Sequence, residues 1–410
     1  MREPARPTYD AVVGLDPRKR DDPAFAFALV KMTYEIKGST AVLASPEPLL
    51  HDVWSNDKLD PRFPAGSDYW ITKPATDVVI RGTAFAPYGR PIASMYASAQ
   101  IGNTFKRIAV YGKRMVEWKG NTPGIGRPEP FTEMPLVYKN AYGGLDNRVP
   151  IPADIRDEYL KSVMNGLQYD HPGLYPRNPV GKGYLVFADP VDGVELPNLE
   201  DPSDLLTPER LITHKPELWY RQPLPWCFEW TNGLTFPRYL FMGVNAWFPE
   251  PDTATMPEIQ RGYFPAGVRR ALGKQPALSE LFFQEASLGM VIKAPLAGQQ
   301  VTLSGMHPEE TTITFTLPNE PTIEIQVEGE RTTVQPILTS LVIYPAEKRF
   351  ITVYSGRTKG LKRVFIPGIH KNIPLAASIN RDAPIRYESP PTIRDQLAAA
   401  NAGPGSPHPN

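Results

Sequence analysis

"TDVVIRGTAFAPYGRPIASMYASAQIGNTFKRIAVYGKRMVEW", residues 76–118, decides the fold class. Its runs near 77–85, 92–101, 104–110 and 114–118 are rich in β-branched and aromatic residues. Tyr88-Gly89, Gly102-Asn103 and Gly112-Lys113 separate them, and such pairs punctuate hairpins. No run is long enough for an amphipathic helix, so short antiparallel strands are the reading.

The same grammar recurs on both sides. "AFAFALVKMTYEIKGSTAVL" (24–43) places a turn at Lys37-Gly38 between two strand-like runs. Between 311 and 356, Ile313, Phe315 and Leu317 alternate with Thr312, Thr314 and Thr316, the pattern of a half-buried strand. Ile323, Ile325 and Val327 alternate likewise, and Tyr344-Pro345-Ala346-Glu347-Lys348 links two further runs as a hairpin loop. Residues 51–68 form a polar loop. Helices are few: 152–166, with Ile155, Tyr159, Leu160, Val163 and Met164 on one face; a short one capped by Thr207 before Pro208; and 278–286.

Composition agrees. The chain has 410 residues, 41% of them apolar, with 7 Trp, 17 Phe and 18 Tyr, sufficient for a substantial core. Its 47 prolines are more than twice the usual share of about 5%. Proline is excluded from helix interiors and central ladders, so many turns and short strands follow. The expectation is a mainly β protein of antiparallel, sandwich-like sheets with long loops. It divides into an arm (1–23), an N-terminal β-rich lobe (24–235), a C-terminal β-rich lobe (236–390) and a disordered tail (391–410).

Lys plus Arg and Asp plus Glu are both 44, which gives no electrostatic case for nucleic acid. Cys227 is the lone cysteine, as expected in a reducing compartment, and reads as a small buried group. The N-terminus carries no apolar signal core and no 18-residue apolar run occurs. A cytoplasmic protein without membrane insertion is therefore expected.

Catalytic grammar is missing. His51, His171, His214, His307, His370 and His408 lie too far apart for a local metal motif. "GNTPGIGRP" (120–128) has prolines where a phosphate loop needs free N–H groups, and "NPVGKGY" (178–184) has Pro176 where a Walker-type glycine belongs. There is no G-x-S-x-G elbow, and Ser304 with His307 three residues on does not make a nucleophile–base pair. Asp77, Glu133, Glu195 and Asp201 are carboxylates from which a glycosidase pair would have to come. "GRTKGLKR" (356–363) reads as a solvated loop after the last strong strand, with contact to an acidic partner as the other reading. No catalytic residue, cofactor or metal is expected, and the protein is not expected to be an enzyme.

Several blocks in order, "SDYWITKPATDVVIRGTAFAPYGRP" (67–91), "VYGKRMVEW" (110–118), "FTEMPLVYKNAYGG" (131–144), "NPVGKGYLV" (178–186), "LPNLEDP" (196–202), "FFQEASLGM" (282–290) and "LSGMHPEETTITFTLP" (303–318), resemble one bacterial family. It is a family of adaptors, or effector chaperones, encoded beside type VI secretion genes. The resemblance covers roughly 25–355. It implies a stand-alone adaptor that binds an effector carrying a PAAR tip domain and helps load it onto the VgrG spike.

Partner contacts are expected from aromatic anchors: Trp70, Tyr88, Phe131, Met134, Tyr138 and Tyr142. For 131–144 two readings stand. One is a buried strand with a tight bend at Gly143-Gly144, which needs φ > 0. The other is a groove wall touching the effector. Rival classes for the whole chain are a structural β component of a phage-tail-like particle, and a carbohydrate-binding or carbohydrate-cleaving β protein.

Overall fold

The computed structural model describes residues 9–15, 26–49, 68, 73, 75–157, 171–175, 177–178, 180–230, 284, 286–327, 330–358 and 363–365. In chain order the strands are β1 (Tyr9–Leu15), β2 (Ala26–Lys37), β3 (Thr40–Leu43), β4 (Thr76–Ile80), β5 (Thr83–Phe85), β6 (Ser94–Ile101) and β7 (Thr104–Tyr111). Next come β8 (Val116–Lys119), β9 (Thr122–Ile125), β10 (Glu133–Pro135), β11 (Tyr142–Gly143), β12 (Lys182–Gly183), β13 (Leu199–Glu200) and β14 (Val291–Ile292). The last are β15 (Gln300–Ser304), β16 (Thr312–Thr316), β17 (Ile323–Val327), β18 (Glu330–Val334), β19 (Ile337–Tyr344), β20 (Arg349–Thr358) and β21 (Arg363–Phe365). The protein is mainly β, with antiparallel pairing dominant and only short helical turns among the described residues.

Two large sheets carry the body. The first runs β1-β2-β20-β19-β4-β14, with β3 also paired to β2. The second runs β13-β7-β6-β15-β16. Their apolar faces share one core. Ile101, Ile108, Val301 and Phe315 from the second sheet belong to the same buried cluster as Val79, Ile343, Phe350 and Val353 from the first. Phe315 stacks on Phe350 at 5.1 Å, and Phe350 stacks in turn on Tyr34 at 4.9 Å. The alternation expected for 312–317 is present: Ile313, Phe315 and Leu317 are buried and the threonines are not.

Strand β4 is buried along its whole length and lies parallel to β19. It carries a charge nonetheless. Asp77 pairs with Lys73 at 2.6 Å, both fully buried, and its other oxygen accepts from the Gln284 side chain and the Ala286 N–H at 3.0 Å. Burying this pair is tolerated because both Asp77 oxygens are engaged and Lys73 also donates to Ser340 Oγ. Another buried amine, Lys106 on β7, donates to Cys227 O (2.6 Å), Ser287 Oγ (3.0 Å) and Leu288 O (2.7 Å). The stretches around 227 and 287 are thus tied to the middle of one strand, and Trp230 bridges Ala286 beside them.

Several local expectations change. Of the three turn pairs in 76–118, only Gly102-Asn103 closes a hairpin, β6–β7. The turn at Tyr88-Gly89 follows β5, which pairs with β10, and β8 beyond Gly112-Lys113 pairs with β9. A turn signal is local, whereas the choice of pairing partner is not. Residues 9–15, within the expected arm, form β1 along the edge of β2. Strands from either side of the expected 235/236 boundary interleave in both large sheets: β20 lies against β2, and β15 against β6. Of the expected helix at 152–166, residues Ala153–Ile155 form a 3-10 turn and those beyond 157 lie outside the described residues. Pro208–Arg210 is a single 3-10 turn without a side-chain cap hydrogen bond from Thr207. The expected helix at 278–286 lies largely outside the described residues, as does the 391–410 tail.

Candidate binding cleft

The blocks 131–144 and 178–186 meet. Strand β11 lies parallel to β12, with Tyr142 opposite Lys182 and Gly143 opposite Gly183. Backbones this close require glycine. Gly143, Gly144 and Gly183 hold φ of +150°, +100° and +93°, values that side chains avoid. A Cβ on Gly143 would strike the Asn178 carbonyl, and one on Gly144 would sit 2.6 Å from the Gly181 carbonyl.

Asn178 holds the crossing together. Its side chain is fully buried, and its amide donates to Tyr138 O (2.8 Å) and Tyr142 O (3.0 Å). Beneath lies a second, smaller core of aromatics. Tyr142 meets Tyr175 edge-on at 5.3 Å and Tyr184 at 6.4 Å, and Tyr175 meets Trp219 at 6.3 Å. The Tyr142 hydroxyl donates to Gln222 and the Tyr175 hydroxyl to Pro223 O. Burial pushes the Tyr142 phenol well above its ordinary range and Tyr175 to about 12.

Above the crossing opens a cleft of about 340 Å³, lined by Gly143, Gly144, Asp146, Arg148, Lys182 and Glu195 among others. Its charged groups all hold the chain. Asp146 accepts a fork from Arg148 Nε and Nη2, both at 2.8 Å, and the N–H groups of Arg148 and Val186. Burial alone would raise its carboxyl pKa. The hydrogen bonds from Arg148 and Val186 outweigh that, and the group sits below the ordinary aspartate value. The remaining Arg148 donors reach Asp189 O and Phe187 O. Lys182 donates to Glu195 (3.0 Å) and Asn198 (2.9 Å), and Glu195 is held below its usual value first by that hydrogen bond. His171 accepts from the Gly173 N–H, and burial lowers its pKa against the pull of Asp146.

The "GKG" at 181–183 therefore serves a strand crossing and opens no helix. Of the carboxylates considered for a glycosidase pair, Asp77 and Glu195 are committed to lysines, Asp201 caps the Ser203 N–H, and Glu133 lies exposed on β10. Among the described residues no three His, Cys, Asp or Glu side chains gather as metal ligands would. Cys227 is buried, and burial pushes its thiol pKa up.

Of the six aromatic and methionine positions expected to touch a partner, Phe131, Tyr138 and Tyr142 are buried in the two cores. Met134 is half-buried on β10 against β5. The cores had first claim on their apolar area, so the groove-wall reading of 131–144 does not describe these side chains. Tyr88 is 86% exposed on a turn with φ +58°. Trp70 lies outside the described residues. The exposed aromatics that sequence reasoning passed over are Tyr96 and Phe105, on the hairpin β6–β7. Their signal was available: each sits on the polar side of an alternating strand.

Two interleaved sheets over a shared core, with a glycine-crossed annex, define a mainly β protein. The chain matches, over residues 22–355, the family described as "Uncharacterized protein conserved in bacteria (DUF2169)", and it belongs to that family. No curated protein and no solved structure matches it. Among the described residues no helix is long and apolar enough to cross a membrane.

Proposed function

We propose that this protein is an adaptor that binds a PAAR-domain effector of a type VI secretion system and helps load it onto the VgrG spike. The partner class comes from the ordered sequence blocks between 67 and 318. The supporting structural observation is that the cleft's polar groups are spent on the chain itself, whereas the open face of the second sheet keeps aromatic and hydroxyl groups in solvent. Rigid aromatics on a sheet are the side chains that protein interfaces use as anchors. In this reading the glycine crossing gives the scaffold rigidity, no chemical step occurs, and the protein acts in the cytoplasm.

Affinity purification of the full chain from its native cell tests the reading, together with deletion of its gene. A PAAR-bearing protein should co-purify, and its secretion should fail on deletion while the tube protein is still released through other spike tips. Unchanged effector level and delivery would overturn the adaptor role. A defined homo-oligomer built into a purified tail particle would favour the structural-component reading instead.

A further inference from the structure

The outward face of the second sheet is open. On β6 it presents Tyr96, Ser98 and Gln100; on β7, Phe105 and Arg107; on β15 and β16, paired hydroxyls such as Thr302 with Thr314 at 3.3 Å. Phe105 lies opposite Gln100 and Arg107 opposite Ser98, so the antiparallel register fixes the spacing of these groups. Phe105 is 59% exposed and Tyr96 56%.

Arg107 is the decisive residue. Its guanidinium lies 4.6 Å from the centroid of the Tyr96 ring in a cation–π contact. Among the described residues no carboxylate pairs with it, whereas Arg114 and Arg148 are engaged with carboxylates. On β6, β15 and β16 the outward positions around it bear hydroxyl, amide and aromatic groups, and on the β13 side the Glu200 carboxylate, opposite Ala109, is buried and paired with Arg114. The described strand positions of this face therefore present one exposed guanidinium, with five N–H donors, beside two exposed rings. Tyr, Phe and Arg so arranged on a rigid element are the composition of an interface centre.

The geometry points to this face as the docking surface for a partner protein that presents an Asp or Glu carboxylate flanked by apolar side chains. The carboxylate takes the Arg107 fork and the apolar groups cover Tyr96 and Phe105. This rests on the adaptor reading for the identity of the partner, but not for the chemistry of the contact.

Site-specific photo-crosslinking tests it. The full chain, carrying a benzophenone amino acid in place of Phe105, is irradiated in its native cell and the crosslinked peptide is sequenced. The expected product is one protein, joined at a peptide with Asp or Glu beside apolar residues. Arg107→Glu in the same background should cut the yield about ten-fold. Reversing that carboxylate to Arg on the partner should restore it. Melting of the chain should be unchanged, because Arg107 and Phe105 are exposed. No protein product, a product with a second copy of this chain or with a glycan, or a yield insensitive to Arg107→Glu would overturn the docking face. A captured protein without a PAAR domain that meets the charge tests would leave the face standing and sink the adaptor reading. A PAAR-domain partner that co-purifies but crosslinks only from elsewhere would do the reverse.

Discussion

Asn178 donates its fully buried side-chain amide to the carbonyl of Tyr142, 36 positions away in sequence, at 3.0 Å. The same amide reaches Tyr138 O at 2.8 Å. One side chain thus replaces the ladder bonds that the short β11 cannot make for itself. Asn178→Leu should leave the Tyr142 carbonyl without its donor, at a cost of about 1–3 kcal/mol, while Tyr138 O keeps the Ala141 N–H. Thermal melts should show a marked fall. An unchanged melting temperature would mean that the crossing is held by other contacts.

The adjacent glycines make a stricter demand. Gly143→Val or Gly144→Val adds a Cβ against the carbonyl of Asn178 or Gly181 and forces a β-branched residue to φ above +90°. Backbone strain alone costs about 1–3 kcal/mol, and the collision adds to it. Either variant should melt far lower or become insoluble. Gly38→Ala is the control, because φ there is +62° with nothing within 4 Å of a new Cβ. It should lose only the smaller strain cost.

Arg148 and Asp146 give an acid-sensitive contact. Asp146 is held below the ordinary aspartate value, so its contribution is complete above that value, near pH 4, and is lost as pH falls through the folded-state pKa. Arg148→Ala should destabilise the protein at pH 7 by about 1–3 kcal/mol, the lower range for a broken pair because Arg148 is 27% exposed. The gap between wild type and variant should narrow in urea melts as pH is taken well below 4, leaving the part that comes from the Asp189 and Phe187 carbonyl bonds. A gap that does not narrow would show that the Asp146 charge contributes nothing.

Lys106 behaves oppositely with pH. Burial pushes its ammonium down to about 7, against attraction from Asp201. Between that value and 10.5 the unfolded chain binds the extra proton, so this group's contribution to stability rises with pH across the window. Lys106→Met removes the titration and leaves the Cys227 and Leu288 carbonyls without this donor. The variant should therefore fall further behind wild type at pH 9 than at pH 6. Equal gaps at the two values would show that the amine does not titrate in that range.

The strands themselves were legible. The alternation of Ile313, Phe315 and Leu317 with threonines, and the Gly102-Asn103 turn between two apolar runs, are local patterns with local causes: the pleat and the positive φ of a tight turn. The glycines of "YGG" also declared a special backbone. Their partner did not. "NPVGKGY" resembles a failed phosphate loop until Asn178 is seen to face Tyr142.

Sequence alone determined the pleated, turn-rich character of this protein, because pleat and tight turns are properties of a few neighbouring residues. Which strands lie side by side was decided by tertiary structure. Thr76 Oγ1 reaches Leu338 O across 262 residues, and β4 runs parallel to β19. No local pattern encodes that choice. It follows from burying both faces of β4 at once, and closing so long a loop costs little more than closing a shorter one. The same competition drew Phe131, Tyr138 and Tyr142 into the cores and left Tyr96, Phe105 and Arg107 in water. The hydrophobic effect counts area, and only the assembled sheets settle which apolar face finds a partner.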